Sequence, residues 1–158
     1  MDPRHFRNAL GRFTTGVTII TCLDAQGQPV GLTANSFNSL SLDPPLVLWS
    51  LRNASPSMAA FEATPRFAVN VLAEAQVELS RRFASRADER FGEVPWSAGE
   101  FGAPVLAGCA AVFECETLSH QTAGDHRLFI GRVLACTESA LAPLVFQAGH
   151  YRLVGEVL

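Results

Sequence analysis

Apolar and polar positions alternate along the chain in a way that predicts mostly strands. Phe6, Ala9, Leu10 and Phe13 recur at helical spacing and predict a short helix over residues 3–13. Gly16 breaks that period. The β-branched run from Val17 and Ile19 to Cys22 predicts a strand. Asp24-Ala25-Gln26-Gly27-Gln28 has turn chemistry, so residues 29–37 should return as a hairpin partner. An irregular piece ends at Pro44-Pro45, and residues 46–51 form a strongly apolar strand. Ser55-Pro56 has the form of a helix start, with Ser as cap and Pro at the first helical position. Met58, Ala59 and Phe61 would continue that helix. Residues 67–72 predict a buried strand, and 74–84 a helix with Val77, Leu79 and Phe83 on its apolar side. Charge, Gly and Pro across 85–104 predict a long loop. Strands follow around 110–118, 127–137 and 150–157, the first two joined by a Gly124-Asp125 turn.

Short strands, few helices and turn-rich links imply a mainly β fold, an antiparallel barrel closed or nearly closed. Alternating βαβ units and a GxGxxG turn are both missing, which argues against a dinucleotide-binding parallel sheet. The 158 residues fit one domain spanning 1–158. Charged residues make up 17%, against about 25% in an average globular protein. A domain this small cannot hide its 48% apolar residues entirely inside, so a ligand pocket and a homodimer interface are expected, a monomer with a dense core being the alternative.

Net charge is −3 and no basic stripe occurs, so no nucleic-acid partner is expected. No apolar run approaches a membrane span, and the charged N-terminus lacks a secretory core. Cys22, Cys109, Cys115 and Cys136 have no metal-type spacing, so free thiols in a reducing cytoplasm and no bound metal are expected. No GxSxG elbow supports a serine hydrolase.

Four segments could carry chemistry. Gly31 to Ser41 is polar and small-residued between two apolar strands, and could hydrogen-bond a planar heterocycle. An edge strand followed by a Ser/Asn-rich loop would look the same. Ser50-Leu51-Arg52-Asn53-Ala54-Ser55-Pro56 places a basic side chain between a strand end and a helix start, which suits a phosphate. A simple cap beside a solvated arginine is the alternative. Arg81-Arg82-Phe83 either complements a helix dipole or meets a cofactor. Gly124-Asp125-His126 sets a histidine at a strand entrance, as a surface residue or a pocket ligand.

In order along the chain, FRNALGRFTTGVTIIT, PVGLTANSFNSLSLDPPLVLWSL, RFAVNVLAEAQVELSRRFA, GAPVLAGCAAVFECE, AGDHRLFIGRV and PLVFQAGHY resemble the short-chain flavin reductases. Those are the reductase components of two-component flavin-dependent monooxygenases. The resemblance implies a six-stranded antiparallel FMN-binding split barrel with flanking helices, acting as a homodimer. It implies FMN or FAD as cofactor and NADH or NADPH as hydride donor. Thr33, Ala34, Asn35 and Ser36 would border the flavin ring and ribityl chain. Ser50, Leu51, Arg52 and Ser55 would meet the flavin phosphate, and Arg82 and Phe83 would make a further cofactor contact. His126 would position the nicotinamide, and Tyr151 would approach the same cleft. Loop 86–103 would shape nicotinamide or partner selection. A flavin-binding electron carrier or redox sensor is the main alternative on such a fold. A pyridoxamine-phosphate-type oxidase and a flavin-free interaction subunit are further ones.

Overall fold

The computed structural model describes residues 1–85 and 89–157. Helix α1 (Pro3–Leu10) leads into β1 (Thr15–Gly16), β2 (Thr18–Leu23), β3 (Pro29–Ala34), β4 (Asn38–Leu42) and β5 (Pro45–Arg52). Helix α2 (Met58–Ala63) and β6 (Arg66–Val71) follow. A 3-10 turn (Glu74–Gln76) opens α3 (Val77–Ala84). The second half holds β7 (Trp96–Ala98), β8 (Pro104–Leu106), β9 (Ala111–Ala123), β10 (His126–Glu138), β11 (Val145–Gln147) and β12 (His150–Arg152).

One seven-stranded sheet runs β3-β2-β6-β9-β10-β5-β4, with every pairing antiparallel. Past its β3 edge the chain turns back on β5. There the Ser36 hydroxyl donates to Ser50 O and accepts from Ser50 N, each at 3.0 Å. That stitch curls the sheet into a barrel left split between β3 and β5. The mainly β, antiparallel split-barrel expectation holds. The sheet counts seven strands rather than six because residues 38–42, Ser/Asn-rich and mostly exposed, pair with β5.

Strand β2 is buried on both faces, so its successive side chains feed two separate cores. Ile20 enters the barrel interior with Trp49, Phe61, Phe67 and Phe129. There the Trp49 ring stacks on Phe129 at 4.6 Å and meets Phe61 edge-on at 4.9 Å. Ile19 packs on the other side with Leu72, Phe83, Phe91, Leu106 and Leu144. Asn70, fully buried, satisfies its amide completely. It donates to Ile19 O and Thr21 Oγ1 at 3.0 Å and accepts from Leu106 N at 2.9 Å, which ties β8 to the sheet.

The structure corrects several element boundaries. Helix α1 stops at Leu10, where the Gly11 N–H closes on Arg7 O, so Phe13 lies beyond it and is 77% exposed. Ser55-Pro56 does not start α2. Met58 N donates to Ser55 O, Ser55 Oγ accepts from Ser57 N, and the helix begins at Met58 with Ser57 as cap. The expected loop over 85–104 contains the β7 strand, starts β8 and buries Phe91. Arg86, Ala87 and Asp88 of that stretch lie outside the described residues. The strand expected over 150–157 ends at Arg152.

Candidate active site

A cleft of about 520 Å³ opens where the ends of β3 and β5 meet the start of β10. That size is ordinary for a small-molecule site. Thr33, Ala34, Asn35 and Ser36 form one wall. Ser50, Leu51, Arg52 and Ser55 form the opposite rim, Phe83 lies at the α3 side, and His126 closes the end. Ten of the twelve residues singled out from the sequence therefore line one cavity.

The sequence folds this way for local reasons. The Thr18 hydroxyl donates to Ala34 O at 2.7 Å, and the Thr33 hydroxyl donates to Ser80 O of α3 at 2.7 Å. With the Ser36 stitch, these bonds fix the wall from both ends. Gly31 lets α3 approach. A Cβ there would stand 2.8 Å from Phe83 Cε1 and 3.2 Å from Phe91 Cε2. Register places His126 opposite Arg52 across β10 and β5. Asn53 locks that juxtaposition, its N–H donating to Asp125 O at 2.9 Å and its amide to Gly124 O at 3.2 Å.

At the cleft end, His126 Nδ1 donates to Asp125 Oδ1 at 2.7 Å. This bond, then the imidazole's charge, holds the Asp125 carboxyl below its usual range, with Arg52 adding a smaller pull. The ring is thereby oriented with Nε2 unused among the described residues.

Two candidates sit elsewhere. The Arg82 guanidinium donates to Arg90 O at 2.6 Å and Glu89 O at 3.3 Å, so it braces the 89–90 backbone rather than lining the cleft. The Tyr151 hydroxyl lies 2.8 Å from Ser80 Oγ, and its ring packs on Phe146 and under Arg81. It stands behind α3, away from the cleft. Arg90, absent from the sequence candidates, does line the cleft. Its Nη1 donates to Gly31 O at 2.9 Å, and its Nε is buried without a hydrogen-bond partner.

The donor set fits a flavin phosphate and ring edge. Among the described residues, the Asn35 amide, the Ser50 hydroxyl and the Arg52 guanidinium make no hydrogen bond within the chain, and all three face one cavity. Leu32, Ala34, Leu51 and Phe83 supply apolar lining. Such a set suits a flat aromatic ligand carrying an anionic tail. Helix α2 has only six residues and starts beyond Pro56, so the rim there offers Arg52 and the 52–55 turn rather than a helix end.

Barrel and cleft together present a pocket of small-molecule size with an arginine at its rim. The chain belongs to the flavin reductase family: the profile of the flavin reductase like domain matches residues 10–155. It is 45% identical to the FMN reductase (NADH) SmoA of Agrobacterium fabrum, over 95% of this chain and 85% of that protein. It is also 45% identical to the "Probable flavin reductase" of Rhizobium meliloti, over 99% of this chain, but spans only 51% of that relative's length. Among solved structures, the Streptomyces globisporus NADH:FAD oxidoreductase SgcE6, in complex with NAD and FAD fragments, superposes with a TM-score of 0.92. Identity there is 38%, over 98% of this chain and 93% of that one.

Proposed function

We propose that this chain is an NAD(P)H-dependent flavin reductase that reduces FMN or FAD and supplies the product to a flavin-dependent monooxygenase. One observation carries the reading. The 33–36 wall, the 50–55 rim and His126 converge on a single cleft where the Asn35 amide, the Ser50 hydroxyl and the Arg52 guanidinium make no hydrogen bond among the described residues. Flavin chemistry supplies hydride acceptance from a reduced nicotinamide and later release of the electrons.

The side chains bind and orient. The forked Arg52 donors hold the flavin phosphate with Ser55 beside them. Asn35 and Ser50 hydrogen-bond the ring edge and ribityl chain. The apolar residues Ala34, Leu51 and Phe83 exclude water from one side. His126, fixed by Asp125, presents Nε2 to the nicotinamide carboxamide or an adjacent phosphate and transfers no proton. Proximity supplies most of the rate.

Homodimerisation is part of this reading. Leu42, 95% exposed on the edge strand β4, and Phe6 and Leu10 on α1 offer apolar surface that nothing described in this chain covers. Buried free thiols support a reducing cytoplasm. No helix among the described residues is long and apolar enough to cross a membrane.

The test is to follow reduced-nicotinamide absorbance at 340 nm with FMN, FAD and riboflavin in turn. Flavin-dependent turnover is expected. Flavin bound one per subunit with negligible nicotinamide oxidation would overturn the reductase reading in favour of an electron carrier.

A further inference from the structure

A second groove, about 1180 Å³, runs on from the cleft. The two cavities share Ala54, Pro56 and Arg90. The outer groove lies between the β2–β3 turn, α2 and the segment from Arg90 to Trp96. We propose that it receives the adenosine phosphate half of FAD, so that the protein holds FAD more tightly than FMN. This rests on the flavin site proposed above.

Continuity of the two cavities is the first argument. FMN ends at its phosphate, whereas FAD continues through a second phosphate and a ribose to adenine. A phosphate gripped by the 52–55 turn lies beside Ala54 and Pro56, and those two residues border both cavities. The remainder of FAD leaves the cleft past them. Arg90 stands at the same junction, and its guanidinium charge suits the second phosphate.

Chemistry along the groove matches the rest of the molecule. Trp96, 39% exposed, offers an aromatic ring for a flat base to stack on. Across from it, Ala59 and Ala63 keep the α2 wall low. Gln26 and Gln28 bring side-chain amides that make no hydrogen bond among the described residues, and these suit the base edge. The acidic groups of the lining, Asp24 and Glu89, suit ribose hydroxyls and disfavour further phosphate. That ordering, cation at the junction and aromatic ring beyond, is the order of groups in FAD.

The experiment is a pair of fluorescence titrations, FMN and FAD, on wild type, Trp96→Ala, Trp96→Phe and Ala59→Gln. Wild type is expected to bind FAD more tightly. Trp96→Ala should raise the FAD Kd about tenfold and leave the FMN Kd unchanged, as loss of one base stack requires. Trp96→Phe should retain most of the FAD affinity. Ala59→Gln lies at an exposed helical position, fills the groove without touching the aromatic packing, and should weaken FAD alone. Equal wild-type affinities for the two flavins would overturn the inference. So would parallel losses of both flavins in the Trp96 and Ala59 variants, or a raised KM for NADH with FAD affinity intact. A wild type that bound neither flavin would instead sink the cleft reading beneath it.

Discussion

Replacing Arg52 by Ala separates binding from folding. Arg52 ends β5 with an exposed side chain that makes no ion pair or hydrogen bond among the described residues. Truncation removes no side-chain hydrogen bond or ion pair among the described residues, so the unfolding midpoint should move by the equivalent of about 0.5 kcal/mol or less. A hydrogen bond to a charged group is worth about 1.5–3 kcal/mol. Losing one to the flavin phosphate should therefore raise the FMN Kd roughly 10- to 150-fold. Riboflavin has no phosphate and serves as the internal control. Its affinity should be the same in wild type and Arg52→Ala. Arg52→Lys keeps the charge without the planar fork and should fall between. The wild-type advantage should also shrink as salt rises, since the group is exposed. Fluorescence-quenching titrations with FMN and riboflavin read all of this. An unchanged FMN Kd, or equal losses for both ligands, would refute a phosphate contact at Arg52.

Three further outcomes follow from the geometry. His126→Ala should lower kcat/KM for NADH at least about tenfold, mainly through KM, while the FMN Kd stays near wild type; unchanged kcat/KM would remove His126 from the nicotinamide side. Gly31→Ala puts a methyl 2.8 Å from the buried Phe83 ring. It should cost about 1–3 kcal/mol in denaturant unfolding and weaken flavin binding, because Phe83 borders the cleft. An unshifted midpoint would mean that the rings yield freely. Burial pushes the thiols of Cys22 and Cys115 up to about 12 and that of Cys109 to about 11. A thiol reagent at pH 8 should thus modify only exposed Cys136 in the folded protein and all four cysteines in denaturant. The same shifts make the unfolded chain lose these protons first, so stability should fall as pH rises above 9, the ordinary thiol value, towards 12. A flat stability profile across that range would contradict the burial.

Much of the site was legible because its segments are short, polar and bounded by strong apolar strands. TANS at the end of β3 and Arg52 at the end of β5 needed only correct strand ends to face each other. Register across β10 and β5, which brings His126 opposite Arg52, depends on long-range pairing that no local pattern encodes. Ser55-Pro56 misled because a capping serine and a helix-starting proline form the same string as an open turn; the backbone bond from Met58 to Ser55 decides between them. Arg82 and Arg90 show the converse problem. Both are arginines near one helix end, and the sequence does not say which guanidinium braces a loop and which borders the cleft. Arg90 sits inside a charged, Gly- and Pro-rich stretch whose apolar residues follow no helix or strand period, so no local pattern marks it. Strand β4 was hidden by its exposed serines and asparagine, which advertise a loop rather than a paired edge.

A crystal structure of this chain grown with excess FMN tests the central claim most directly. The account predicts a ring lying against residues 33–36, with its phosphate within about 3.2 Å of the Arg52 guanidinium, and with His126 facing the open side of the ring. A ring bound anywhere else, or this cleft closed by the protein's own side chains while FMN sits outside it, would contradict it.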